Sequence, residues 1–251
     1  MSGHSKWSQI KRQKGITDAR RGQVFTKLSL EITLLARQGG ANPDANFSLR
    51  LAIQKARESR MPSENIERAL KRATGGIEGG SLVEMTMEGY GPGGVAILVQ
   101  AVTDNRNRTV QDVRNVFTRG GGNLAELGAV AWQFEPRGVI TLDVAEPEKG
   151  EEVGLLAIDA GAIDVKMEPG YVEVHTESQA LEAVHRALVA RSLKVTSVEM
   201  AMLPKTTAAL DGKQTDATLR LLDKLEELGE VRRVFSNAEF AEEALEAYRK
   251  G

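Results

Sequence analysis

Apolar positions change their period as the chain is read from its start. Val24, Phe25, Leu28, Ile32 and Leu35 recur at spacings of three and four, which marks one face of a helix. Gly39-Gly40 supplies the stop. After Asn42-Pro43, Phe47 with Leu51, and Leu49 with Ile53 and Ala56, outline a second helix. A third opens at Met61-Pro62, where proline suits the first helical turn. It carries Ile66, Ala69, Leu70 and Ala73 before Gly75-Gly76. Three such helices predict a small bundle with its basic residues left outside.

From residue 81 the period shortens. Residues 81–88 and 95–102 alternate or are rich in Val, Ile and Leu, and both predict strands joined by the turn Tyr90-Gly91-Pro92-Gly93-Gly94. Residues 108–119 predict a helix with Val110, Val113, Val116 and Phe117 inward, and residues 129–134 another strand after Gly120-Gly121-Gly122. Residues 137–201 then read strand, helix, strand, strand, helix, strand, the order of a ferredoxin-like split unit. The final stretch, 205–251, predicts a short strand, a helix carrying Leu219, Leu222, Leu225 and Leu228, a strand at 231–235 and a closing helix. The expected fold is α+β: an N-terminal three-helix domain plus two α/β domains, one ferredoxin-like and inserted in the other. The boundaries expected are 1–78 for the helical domain, 79–134 with 204–251 for the discontinuous α/β domain, and 135–203 for the insert.

Composition narrows the chemistry. The chain has 251 residues, 41% hydrophobic and 27% charged, with no cysteine. That balance is globular, and the missing cysteines exclude disulfide scaffolds, Cys-ligated zinc, iron–sulfur clusters and thiol catalysis. No apolar run approaches a membrane span, and the start MSGHSKW lacks the apolar core of a secretory signal. A cytoplasmic location and no membrane partner are therefore expected. Aromatics, at 4%, are too scarce for a base-stacking sheet of the RNA-recognition-motif kind.

Charge matters through its placement. The net charge of −2 hides an asymmetry: residues 1–78 hold 15 Lys and Arg against 7 Asp and Glu, and the remainder holds 18 against 28. A clustered basic end is suited to polyanions, because Lys and Arg neutralise phosphates and release condensed counterions. The candidate nucleic-acid contacts are Lys6, Trp7, Lys11, Arg12, Lys14, Arg20, Arg21 and Lys27, with Trp7 available for stacking or packing. A second candidate anion or partner site is Asp104, Asn105, Arg106, Asn107 and Arg108. Asp104, Asn105 and Asn107 are good caps. Two arginines at the positive end of a helix suit an anionic ligand better than they suit the helix.

Catalysis finds no footing. His4, His175 and His185 have no metal-ligand spacing, so no metal site is expected. Neither glycine-rich stretch matches a phosphate loop, and turn chemistry accounts for both. No nucleophile elbow and no carboxylate pair suited to acid–base work is present. A binding protein without enzymatic activity or cofactor is expected. The N-terminal helices show no tight turn of the helix-turn-helix kind, so base-specific DNA reading is not expected of them.

The motifs GHSKW at 3–7, DARRGQVFTKL at 18–28, MPSENIERA at 61–69, EGYGPGG at 88–94, TDNRNRT at 103–109, GGNL at 121–124 and Ser236-Asn237-Ala238-Glu239 together resemble the YebC family. That family also contains the mitochondrial translational activator of cytochrome oxidase subunit one. The resemblance implies a helical N-terminal domain and two α/β domains, the last inserted within the second. Arg232-Arg233 is more basic, and Glu227-Leu228-Gly229-Glu230 less acidic, than the family pattern. The functions implied are a DNA-binding transcriptional regulator, by the family's usual label, or a ribosome-associated, RNA-binding factor that regulates translation at difficult stretches such as consecutive prolines. The implied partners are DNA in the first case, and ribosomal RNA, tRNA and the ribosome in the second.

Overall fold

The computed structural model describes residues 18–75, 82–144, 146 and 149–250. They fall into two compact units, 135–203 and the rest.

In the larger unit, three helices come first: α1 (Asp18–Gly39), α2 (Phe47–Glu58) and α3 (Ser63–Ala73). Leu28, Ile32 and Ala36 of α1 meet Leu49, Ile53 and Ala56 of α2 and Ile66 and Ala69 of α3 in one buried cluster. The stripes seen in the sequence are thus core. Asn46 joins two helices: its side-chain oxygen accepts from the Leu49 N–H, capping α2, while its amide donates to the Leu35 and Gly40 carbonyls at the end of α1. Only residues 59–62 separate α2 from α3. The connection is as short as that of a helix-turn-helix, which corrects the expectation that no tight turn exists here. Periodicity located the helices, but the turn depends on Arg60 adopting φ +59°, a conformation sequence does not announce for arginine.

The same unit holds a four-stranded sheet in the order β3-β1-β2-β9. Its strands are β1 (Val83–Tyr90), β2 (Ala96–Thr103), β3 (Asn123–Ala125) and β9 (Val231–Ser236), with every neighbouring pair antiparallel. Helices α4 (Arg106–Arg119) and α7 (Gly212–Glu227) cover one face, where Ile97, Val99 and Ala101 pack with Val113, Phe117, Leu219 and Leu222. The sheet meets α1 through an ion pair, Glu31 of α1 with Arg233 at 3.4 Å, while Arg232 pairs with Glu84 of β1 at 3.2 Å within the sheet. Burial alone would raise the Glu31 carboxyl, but Arg233, Lys55 and Arg232 outweigh it and hold the group below its ordinary value. Burial and the adjacent Arg233 lower the Arg232 guanidinium in turn. A two-stranded parallel pair, β8 (Ala208–Ala209) with β10 (Ala238–Glu239), and helix α8 (Glu242–Lys250) complete the unit.

Residues 129–134 do not form the expected strand. β4 (Phe134–Asp143) starts only at their end, after a 3-10 turn at Ala131–Gln133. The cause is Glu88, whose carboxylate accepts the N–H groups of Gly128, Val130 and Ala131 at 2.6–2.8 Å, so those donors are taken from any ladder.

The smaller unit contains β4, α5 (Gly150–Asp159), β5 (Asp164–Glu168), β6 (Tyr171–Thr176), α6 (Leu181–Ala190) and β7 (Val195–Pro204). Its strand order, β5-β6-β4-β7, is ferredoxin-like, as the element order predicts.

Candidate nucleic-acid interface

Lys6, Trp7, Lys11, Arg12 and Lys14 lie outside the described residues, as does the side chain of Arg20. Arg21 is exposed near the start of α1, and Lys27, half-buried, donates its ammonium to the Glu226 carbonyl. The helical domain adds cations that the sequence reading did not single out: Arg57, Arg60, Arg68 and Lys71 are exposed and form no ion pair among the described residues. Lys55 and Arg57 stand in the last turn of α2, and Lys71 in the last turn of α3, where the helix dipole itself favours positive charge. Arg60 and Arg68 have no such intramolecular reason. Nothing in their residue type separates them from ordinary surface arginines, so only exposure without a partner brings them forward.

At the second candidate site, Asn105 caps α4 by accepting the Arg108 N–H at 3.1 Å. Thr103 accepts from the Asn105 N–H and the Thr109 hydroxyl, each at 2.9 Å, fixing the turn into the helix. Arg108 reaches Asp104 at 3.3 Å and Glu230 at 2.8 Å. Its position at a positive helix end is therefore offset within the protein. Arg106 and Asn107 are both exposed, and Arg106 makes no ion pair among the described residues. The five residues are neighbours, but only Arg106 offers an uncommitted cation.

The glycine-rich stretches act in packing. A side chain on Gly122 would start 2.4 Å from the Tyr90 carbonyl oxygen, and Gly93 has φ +72° with Leu210 in the space a Cβ would take. Gly122 lets the turn after α4 close on the β1–β2 hairpin, and Gly93 lets that hairpin's turn pack against Leu210. Among the described residues no group of three or more His, Asp and Glu is placed to hold a metal ion. His175 is buried beside Glu173 at 2.6 Å and Asp164 at 3.4 Å. Among the described residues no helix is long and apolar enough to cross a membrane.

Two family models cover most of the sequence: the TACO1/YebC protein N-terminal domain matches residues 5–76, and the TACO1/YebC second and third domain matches residues 82–238. The chain belongs to the TACO1/YebC family. A probable transcriptional regulatory protein of Dehalococcoides mccartyi is 53% identical over 248 residues, 99% of this chain and 98% of the relative. One from Roseiflexus castenholzii is 49% identical over 255 residues and covers 100% of both chains. The crystal structure of a conserved hypothetical protein from Aquifex aeolicus has a TM-score of 0.81 at 40% identity, covering 89% of this chain and 92% of that one. The similarity thus spans all the elements described above.

Proposed function

We propose that this TACO1/YebC protein is a non-enzymatic, nucleic-acid-binding regulator of gene expression, and that it acts on DNA as a transcriptional regulator. The observation that carries the reading is the concentration of cations in the helical domain, with Arg57, Arg60, Arg68 and Lys71 unpaired among the described residues. Cations without intramolecular partners keep their full attraction for phosphates and give affinity that falls with salt. The names of the relatives, probable transcriptional regulatory proteins, support assigning that affinity to transcription. The short α2–α3 connection is compatible with a groove-entering helix pair. The first contacts are Lys6, Trp7, Lys11, Arg12, Lys14, Arg20 and Arg21, with Arg106 as an outlying one; Lys27, whose ammonium donates to the Glu226 carbonyl, is left out of the set.

Replacing Lys11, Arg12, Lys14 and Arg20 by Ala should weaken DNA affinity and reduce the slope of log K against log salt by roughly 3–4, at about 0.7–0.9 per phosphate contact. An unchanged slope would reduce the basic end to a solvated face. Sedimenting a lysate through a sucrose gradient separates this reading from a translational one. Co-migration with ribosomes that disappears in high salt would move the function to translation, while enrichment at promoter DNA keeps it in transcription.

A further inference from the structure

The loop that replaces the expected strand carries two large apolar side chains into solvent, Leu127 at 79% exposure and Trp132 at 67%. An exposed tryptophan keeps most of a large apolar ring in water, where burial would be favourable. The loop is nonetheless firmly built. Glu88, only 3% exposed, spends its carboxylate on three of the loop's N–H groups. The Tyr90 hydroxyl donates to the Ala129 carbonyl at 3.0 Å, and Val130 is fully buried beneath. Gln133 is held twice, by the Lys205 N–H on its carbonyl and by the Asn237 amide on its side chain.

The indole is oriented by the same loop. Its N–H donates to the Ala129 carbonyl at 3.1 Å, so its one polar group is already committed and its ring faces are what remain for a ligand. The Lys205 ammonium lies 3.0 Å from the Trp132 carbonyl oxygen. A ring face with a fixed edge, and a cation on the same residue's backbone carbonyl, suit one nucleotide: the base stacks and the phosphate is neutralised.

We propose that Trp132 is a stacking platform for an unpaired base of a nucleic-acid strand, with Lys205 contacting its phosphate. The inference rests on the nucleic-acid reading above and adds a contact that depends on the base face. Stacking of one base contributes affinity without releasing counterions, which separates Trp132 from the cations of the helical domain.

The test is fluorescence anisotropy of labelled oligo(U) and oligo(dT), each of about twelve nucleotides, a length within known single-strand site sizes. The full-length protein is compared with Trp132→Ala, Trp132→Phe and Lys205→Ala. Trp132→Ala should weaken binding about 5- to 150-fold with an unchanged salt slope, and Trp132→Phe should restore most of the loss. Lys205→Ala should lower the slope by about 0.7–0.9. A preference for one oligonucleotide tells RNA from DNA. Undiminished binding by Trp132→Ala overturns the stacking site and leaves the parent reading intact. The same holds if Phe fails to rescue, because a stacking contribution should survive in another aromatic ring. Absence of any single-strand binding by the unaltered protein overturns the stacking site, and the parent reading falls with it only if duplex DNA is not bound either. Because Trp132 is mostly exposed, the variants should keep the melting temperature of the original chain.

Discussion

Glu88 shows what one side chain can decide. Burial would raise its carboxyl, yet the three N–H groups of Gly128, Val130 and Ala131 hold it below the ordinary value of 4.5. Glu88→Ala would strand those donors, and unfolding in urea should show a loss of about 2–4 kcal/mol. Because the folded value is depressed, the contribution of Glu88 is complete above the ordinary value and disappears as pH falls below it. The Glu31 carboxyl behaves alike. Stability measured between about pH 3 and 6 should therefore fall toward acid, and Glu88→Gln should flatten that fall. Arg106 and Arg108 differ in the same residue-level terms. Arg108→Ala breaks exposed ion pairs and should cost less than about 1 kcal/mol. Arg106→Ala should leave melting unchanged, and if Arg106 meets a phosphate the salt slope drops by about one.

At the scale of elements, the legible parts were those with a strong period. The faces of α1, α2, α3 and α7 follow from their leucines and isoleucines, because a stripe at spacing 3.6 has one way to be buried. The strands β1 and β2 follow likewise. Residues 129–134 misled because Ala129, Val130, Ala131, Trp132 and Phe134 have strand composition, while the acceptor that captures their backbone sits forty residues upstream. Trp132 was overlooked for that reason: in a strand half its neighbours would be buried, whereas on a braced loop it stands free. The glycines at the crossing of β1 and the turn after α4 carry their own prediction. Gly122→Ala places a methyl group against the Tyr90 carbonyl and should destabilise the protein by about 1–3 kcal/mol. Thermal denaturation indistinguishable from the parent would show that this turn can relax.

Over the whole molecule, charge placement and tertiary pairing answer different questions. The basic first third is visible as a count, yet Lys27 turns inward to Glu226, and Lys55 sits close enough to Glu31 to lower it. Of Arg232-Arg233, an oddity against the family pattern, Arg233 joins the sheet to the helical domain through Glu31, and Arg232 ties β9 to Glu84 of β1 within the sheet. Arg233→Ala should cost about 2–4 kcal/mol, below the ~3–5 of a wholly isolated buried ion because Arg232 and Lys55 remain. Adding Glu31→Ala should restore part of that loss in a double-mutant cycle, and strict additivity would show that the two residues do not interact.

The sequence alone determined the periodic helices and strands, the ferredoxin-like order of the insert, the family and the basic character of the first third. Each of these is written in local spacing or in sums of charge. Tertiary structure decided which cations remain available, why residues 129–134 form a loop, and that Trp132 is exposed while its indole N–H is satisfied. Those properties depend on partners distant in the chain, and a buried carboxylate or a neighbouring glutamate leaves no periodic trace in the residues it controls.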